Sequence, residues 1–180
     1  IIDAIDKLNA ETVYILPNNK NIILAAEQAA KIVEDKKVVV IPTKTIPQGI
    51  TAMISLSEDR SAEENLENAI EEISNVKSAQ ITYAVRNTTI DDVEIHENDV
   101  MVLGDSGIIG VDKSIDSAVD KALANMIDDS SELVCLYYGE EVSEEDATKL
   151  CDELVGKYEN VEFELHFGGQ PVYYYFISVE

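Results

Sequence analysis

Apolar and polar positions follow one pattern in the first part of the chain and another in the rest. Thr12-Val13-Tyr14-Ile15-Leu16-Pro17 and Lys37-Val38-Val39-Val40-Ile41-Pro42 are short, continuous apolar runs rich in β-branched residues. Runs of this kind are strands buried on both faces. Between them, Asn18-Asn19 is a natural turn and N-cap pair. Ile22, Ile23, Ala26, Ala29, Ala30 and Val33 then recur at helical spacing. The loop Thr43-Lys44-Thr45-Ile46-Pro47-Gln48-Gly49 follows the second run, with Pro47 where a helix can begin. An apolar helix is predicted over Ile50 to Leu56. Ser61 to Val76 is amphipathic, with Leu66, Ile70 and Ile73 inward and Glu63, Glu64, Glu67, Glu71 and Glu72 outward. This strand–helix alternation predicts a parallel sheet covered by helices.

The pattern changes near Lys77-Ser78. Gln80 to Arg86 alternates as a strand, and Asp99 to Leu103 reads as another. Gly104-Asp105-Ser106-Gly107 is a turn signal, and Ile108 to Val111 returns from it, which predicts a hairpin. Ser114 caps a helix whose inner face carries Ile115, Val119, Ala122, Leu123 and Met126. Glu132 to Tyr138 is a buried strand. Ser143-Glu144-Glu145-Asp146 opens a capped helix with Ala147, Leu150, Cys151 and Leu154 inward. Val161 to Phe167 and Val172 to Val179 are strands around Gly168-Gly169-Gln170-Pro171. The predicted fold class is α/β in two lobes. A parallel-sheet α/β lobe over residues 1–77 precedes an α+β lobe with a mixed or antiparallel sheet over 78–180.

Composition narrows the function classes. The chain has 180 residues, 46% of them apolar, enough for a packed core rather than disorder. No apolar run approaches the roughly 18–20 residues that span a bilayer. The start, Ile1-Ile2-Asp3-Ala4-Ile5-Asp6-Lys7-Leu8, is helical in period, lacks Met and has no basic, signal-like beginning. It reads as a fragment boundary that cuts into a helix. The net charge of −23 repels phosphate backbones and anionic headgroups, which disfavours nucleic acid and membrane partners. The same charge provides solubility, or steering toward a basic protein. Cys135 and Cys151 sit in apolar patterns outside any CxxC pair, so two reduced thiols in a cytoplasmic protein are expected.

Catalytic residues are few. His96 lies in a polar, acidic stretch, and His166 lies at a strand end. Neither has metal-ligand spacing, and GxSxG, GxxxxGK[ST] and GxGxxG motifs are missing. The aromatic stripe Tyr173-Tyr174-Tyr175-Phe176 fits a strand in a core. Two loops offer more chemistry. Pro17-Asn18-Asn19-Lys20-Asn21 and Pro42-Thr43-Lys44-Thr45, with Gln48 just beyond, follow the C-terminal ends of the predicted parallel strands. That edge is where open α/β sheets bind ligands. Its amides, hydroxyls and helix N-terminal N–H groups could hold a small anion, or could only cap helices and form turns.

Several of these segments together resemble one family. They are Leu16-Pro17-Asn18-Asn19-Lys20-Asn21-Ile22-Ile23-Leu24-Ala25-Ala26-Glu27-Gln28-Ala29, Ile41-Pro42-Thr43-Lys44-Thr45-Ile46-Pro47-Gln48-Gly49, Thr82-Tyr83-Ala84-Val85-Arg86, Tyr137-Tyr138-Gly139-Glu140 and Gly168-Gly169-Gln170-Pro171-Val172-Tyr173-Tyr174-Tyr175. They resemble the C-terminal domain of YloV-type proteins, which join it to a dihydroxyacetone-kinase-like domain and include the catalytic subunit of bacterial fatty acid kinase. The resemblance implies a DegV-like, two-lobe fold. It also implies a longer, homodimeric protein whose separate kinase domain binds ATP and magnesium. A DegV-type acyl-binding subunit would present a fatty acid to that kinase domain, and the present domain would recruit the acyl-binding protein. No cofactor and no metal are expected in this chain itself, and it is not expected to be an enzyme. His166-Phe167-Gly168-Gly169-Gln170 stands where DegV-type proteins have a His-x-Gly-Pro-Gly-like turn. His166, Gly169 and Gln170 therefore join Asn18, Asn19, Lys20, Thr43, Lys44, Thr45 and Gln48 as candidate ligand- or partner-binding residues. The competing expectation is a lipid- or small-anion-binding module with its own pocket between the lobes.

Overall fold

The computed structural model describes residues 1–90 and 93–180. They form two units, Ile1–Val76 and Lys77–Glu180. The first contains α1 (Ile2–Asp6), β1 (Thr12–Ile15), α2 (Lys20–Ile32), β2 (Lys37–Val40), α3 (Ile46–Ser55) and α4 (Ala62–Asn75). β1 and β2 pair in parallel, from Thr12 opposite Lys37 to Ile15 opposite Val40. Helix starts are set by side-chain caps. Asn19, Thr45 and Ser61 each accept an N–H that the first turn leaves without a helical partner. Ser61 and Glu64 complete a reciprocal capping box. α3 starts at Ile46, earlier than the apolar pattern implies, because Thr45 caps it and Pro47 is preset for a first turn. Ile41, Ala52, Ala69 and Ile73 make the small core, with Tyr14, Leu16, Leu56 and Leu66 packed around it.

The inward face of α4 departs from expectation. Ile70 is 44% exposed, and the buried stripe is Ala62, Asn65, Ala69 and Ile73. Asn65 explains the rotation. Its carboxamide donates to Tyr14 Oη (3.1 Å) and Ser57 O (2.8 Å) and accepts from Ser57 N (2.9 Å). A polar group so completely paired can occupy the inner face, and Ile70 then turns outward.

The second unit contains β3 (Lys77–Tyr83), β4 (Thr88–Ile90), β5 (Val93–Ile95), β6 (Val100–Gly104), β7 (Gly107–Asp112), α5 (Ile115–Met126), β8 (Leu133–Tyr138), α6 (Glu144–Lys157), β9 (Glu162–Phe167) and β10 (Tyr173–Val179). Six strands form one mixed sheet in the order β7-β6-β3-β10-β8-β9, and β4 pairs with β5. Neighbours in the large sheet are antiparallel except β8 and β9, which are parallel and joined through α6. This mixed α/β architecture agrees with the expected fold class. β3 begins at Lys77 rather than Gln80, because the Asp105 carboxylate in the β6–β7 turn accepts Ser78 N (3.1 Å) and Ser78 Oγ (2.8 Å). β10 begins at Tyr173 rather than Val172, whose φ of 72° is incompatible with a strand.

One face of the sheet carries the core. Ala79, Ile81, Val102, Val134, Leu136, Tyr175, Ile177 and Val179 alternate inward against Val119, Leu123, Leu150 and Leu154 of α5 and α6. The same alternation turns Cys135, Tyr137, Glu164 and His166 to the opposite face. No helix among the described residues is long and apolar enough to cross a membrane.

Candidate functional site

The sequence-predicted site residues fall into two groups, one in each unit. In the first unit, Asn18 and Thr43 leave the C-terminal ends of the parallel strands β1 and β2. Thr43 is fully buried. Its hydroxyl donates to Asn18 Oδ1 (2.8 Å) and accepts from Asn18 N (3.0 Å). Asn18 adopts φ 53°, a conformation that Asn tolerates better than most residues. Gly49 allows the close approach: a Cβ there would stand 2.1 Å from Asn18 Oδ1. Asn18, Thr43 and Gly49 are thus interlocked.

The remaining members of this group work mainly at helix starts. Asn19 Oδ1 accepts from Asn21 N (2.9 Å), and Thr45 Oγ1 accepts from Gln48 N (3.4 Å). Gln48 Oε1 accepts from Lys44 N (2.8 Å), and Gln48 Nε2 donates to Ile73 O (3.5 Å). Lys20 and Lys44 are exposed at the starts of α2 and α3. Among the described residues, no buried side-chain nitrogen or oxygen lacks a hydrogen-bond partner.

In the second unit, the end of β9 carries His166, and the β9–β10 connection brings Gly169 and Gln170 to the C-terminal ends of β8 and β9. Gly168 N and Gly169 N both donate to Tyr138 O (2.9 and 3.2 Å). Gln170 Nε2 donates to Tyr137 O (2.8 Å), and Gln170 O accepts from Glu140 N (3.1 Å). Gly139 is required here, since a Cβ would meet the backbone oxygens of Tyr173 at 2.1 Å and Gln170 at 2.6 Å. Val172 is held at positive φ while its carbonyl accepts from Thr82 Oγ1 (2.8 Å). That conformation of a β-branched residue stores strain of about 1–3 kcal/mol.

His166 Nε2 lies 2.9 Å from Glu164 Oε2, and its ring stacks on Tyr137 with centroids 5.3 Å apart. Cys135 Sγ lies 3.9 Å from the same Glu164 oxygen. One ligand atom from each of Cys135, Glu164 and His166 lies within 4.8 Å of the others. Sequence spacing missed this cluster because 29 residues separate Cys135 from Glu164. Only the β8–β9 register, which sets Cys135 opposite Glu164 and Tyr137 opposite His166, joins them. The two-residue step from Glu164 to His166 on a strand was the available signal. Burial pushes the Cys135 thiol up from its ordinary range, and burial likewise raises the Tyr137 hydroxyl. A raised thiol is the opposite of an activated nucleophile. His96 is exposed and stands 3.5 Å from Asp99, as a surface residue.

Comparison with known proteins places these observations in a family. Residues 1–180 match the FakA-like C-terminal family of fatty acid kinase proteins. Protein YloV of Bacillus subtilis is 46% identical over all 180 residues, and the chain spans 32% of that protein's length. The crystal structure of DegV, a fatty acid binding protein from Bacillus subtilis, is similar in fold, with a TM-score of 0.60 and 14% identity over 99% of this chain and 74% of that one. The dihydroxyacetone kinase of C. freundii gives a TM-score of 0.60 and 15% identity, covering 99% of this chain and 40% of that one.

Proposed function

The chain belongs to the FakA-like C-terminal family of fatty acid kinase proteins, and from that premise we propose that it is a non-catalytic docking domain. In this reading it recruits a DegV-type acyl-binding subunit to a kinase domain elsewhere in a longer protein. That kinase domain, with ATP and magnesium, would convert the presented carboxylate to an acyl phosphate. The observation that carries the reading is the family match over residues 1–180.

The polar side chains of the two strand-end loops serve mainly local structure, which leaves the exposed groups beside them for recognition. Asn18, Asn19, Thr43 and Gln48 direct their side chains into one another or into helix caps. The cationic groups of the two loops are Lys20 and Lys44, both exposed. The net charge of −23 would steer the domain toward a basic surface, with an association rate that falls as salt is added. Calorimetric titration of the chain with the cognate acyl-binding protein should give heat and co-elution. Neither signal at micromolar concentrations would overturn the docking reading.

A second reading is a lipid- or small-anion-binding module. It draws on the likeness in fold to DegV, described as a fatty acid binding protein. Native mass spectrometry separates the two, since a co-purifying fatty acid is expected only for the second.

A further inference from the structure

We propose that Cys135, Glu164 and His166 form a zinc site with one coordination position left for water. The site arises from backbone register. β8 and β9 run in parallel with Cys135 opposite Glu164, and His166 lies two residues farther along, so all three side chains leave the same face. The three ligand atoms lie within 4.8 Å of one another, with 3.9 Å between Cys135 Sγ and Glu164 Oε2 and 2.9 Å between Glu164 Oε2 and His166 Nε2. Bonds of about 2.0–2.3 Å to a tetrahedral zinc ion place ligand atoms roughly 3.3–3.8 Å apart. Two of the side chains need only small rotations to reach that spacing. Glu164 and His166 have room to make them, being 51% and 46% exposed.

The donor set selects the ion. Thiolate, imidazole and carboxylate together suit zinc, whereas magnesium and calcium take oxygen ligands alone. Zinc binding forms the metal–sulfur bond as the Cys135 proton leaves to solvent, and the ion breaks the His166–Glu164 hydrogen bond. Neighbouring residues support the geometry. Tyr137 stacks on the His166 ring, and Gln170 fixes the Tyr137 carbonyl. The stacking limits the rotation of the imidazole. Three protein ligands and one open position describe a zinc site that can take a fourth donor from outside the chain.

The test is a cobalt(II) titration of the full 180-residue chain. Excess magnesium is included to occupy the many exposed carboxylates. The expected result is one cobalt per chain, a thiolate-to-cobalt charge-transfer band in the near ultraviolet, and loss of that band when zinc is added. Cys135→Ser should abolish the band, and Glu164→Gln and His166→Gln, which each remove a direct ligand, should weaken cobalt binding by at least about tenfold, the lower end of the loss expected even for an outer-shell partner. Cys151→Ser should leave binding unchanged. The two ligand variants at exposed positions should keep the wild-type circular dichroism, so a loss of metal there is not a loss of fold. The proposal is overturned if the wild-type chain gives no charge-transfer band, if the band survives Cys135→Ser or disappears in Cys151→Ser, or if the Glu164 and His166 variants bind cobalt like the wild type.

Discussion

Each unit contains one parallel strand pair among its described residues, β1 with β2 and β8 with β9, and the two pairs treat polar side chains differently. At the first, Thr43 is fully buried and its hydroxyl both donates to and accepts from Asn18. Water cannot stand in for those bonds easily, so the polar atoms there must satisfy one another. At the second, Cys135 is buried, while Glu164 and His166 remain about half exposed. Their hydrogen bond can be exchanged for water or for a ligand at little cost. The difference teaches that polarity at a sheet edge is not itself evidence of a binding site. What matters is whether the groups are already committed to each other.

The largest expected effect follows from that commitment. Thr43→Val keeps the shape of the side chain and removes the hydroxyl that pairs Asn18 N and Asn18 Oδ1. It should cost about 2 kcal/mol in urea unfolding, the range for leaving buried polar groups without partners. Gly49→Ala should cost about as much, because its Cβ would collide with Asn18 Oδ1 and force it off Thr43. Wild-type stability in both variants would mean that the loop is open, and the contrast between the two strand pairs would disappear.

Much of this arrangement was legible in the residue pattern, and the failures have physical causes. Thr12 to Pro17, Lys37 to Pro42 and Ser61 to Val76 each hold the predicted element to within about two residues at either end. Caps at Ser114 and Ser143 act locally, within four residues, so sequence reveals them. Ile70 escaped because an apolar residue beside the buried stripe looks like part of it until the bonds of Asn65 are known. The first residues of β3 were hidden for a similar reason. Ser78 is polar in sequence and is anchored by Asp105 from the far turn of a hairpin. Asn19 and Thr45 carry capping bonds, one of the two roles their loops allowed. The Cys135 cluster is a property of strand register, which no spacing along the chain encodes.

A smaller effect separates the units by acid sensitivity. In the second, Lys121 and then Ser117 hold the Asp112 carboxyl well below its ordinary range, and the carboxylate is only 21% exposed. In the first, Lys37 lowers Glu63, but that pair is 47% and 69% exposed and so contributes little. A carboxyl with a depressed folded-state pKa stabilises above its unfolded value, near pH 4, and loses that contribution as pH falls toward the folded value. Asp112→Asn should therefore lower the melting temperature at neutral pH, with the gap to wild type closing below about pH 4. Glu63→Gln should shift it far less at any pH. Equal shifts would show that exposure does not govern these pairs.

The smallest expected effect is the one that most directly tests the comparison. His166→Gln removes a ring that touches Glu164 and Tyr137 on an open face, and the exposed pair it belongs to is worth little in water. In metal-free buffer it should change unfolding stability by less than about 0.5 kcal/mol. Gln retains a polar end that water can serve, and Glu164 is exposed enough to be rehydrated. Thr43→Val has neither escape, because its partners face a buried position. If His166→Gln proved as costly as Thr43→Val, His166 would be a structural member of a closed network like the one around Asn18. The second strand pair would then have no spare coordinating capacity, and its ligand atoms would be near one another only because the fold needs them there.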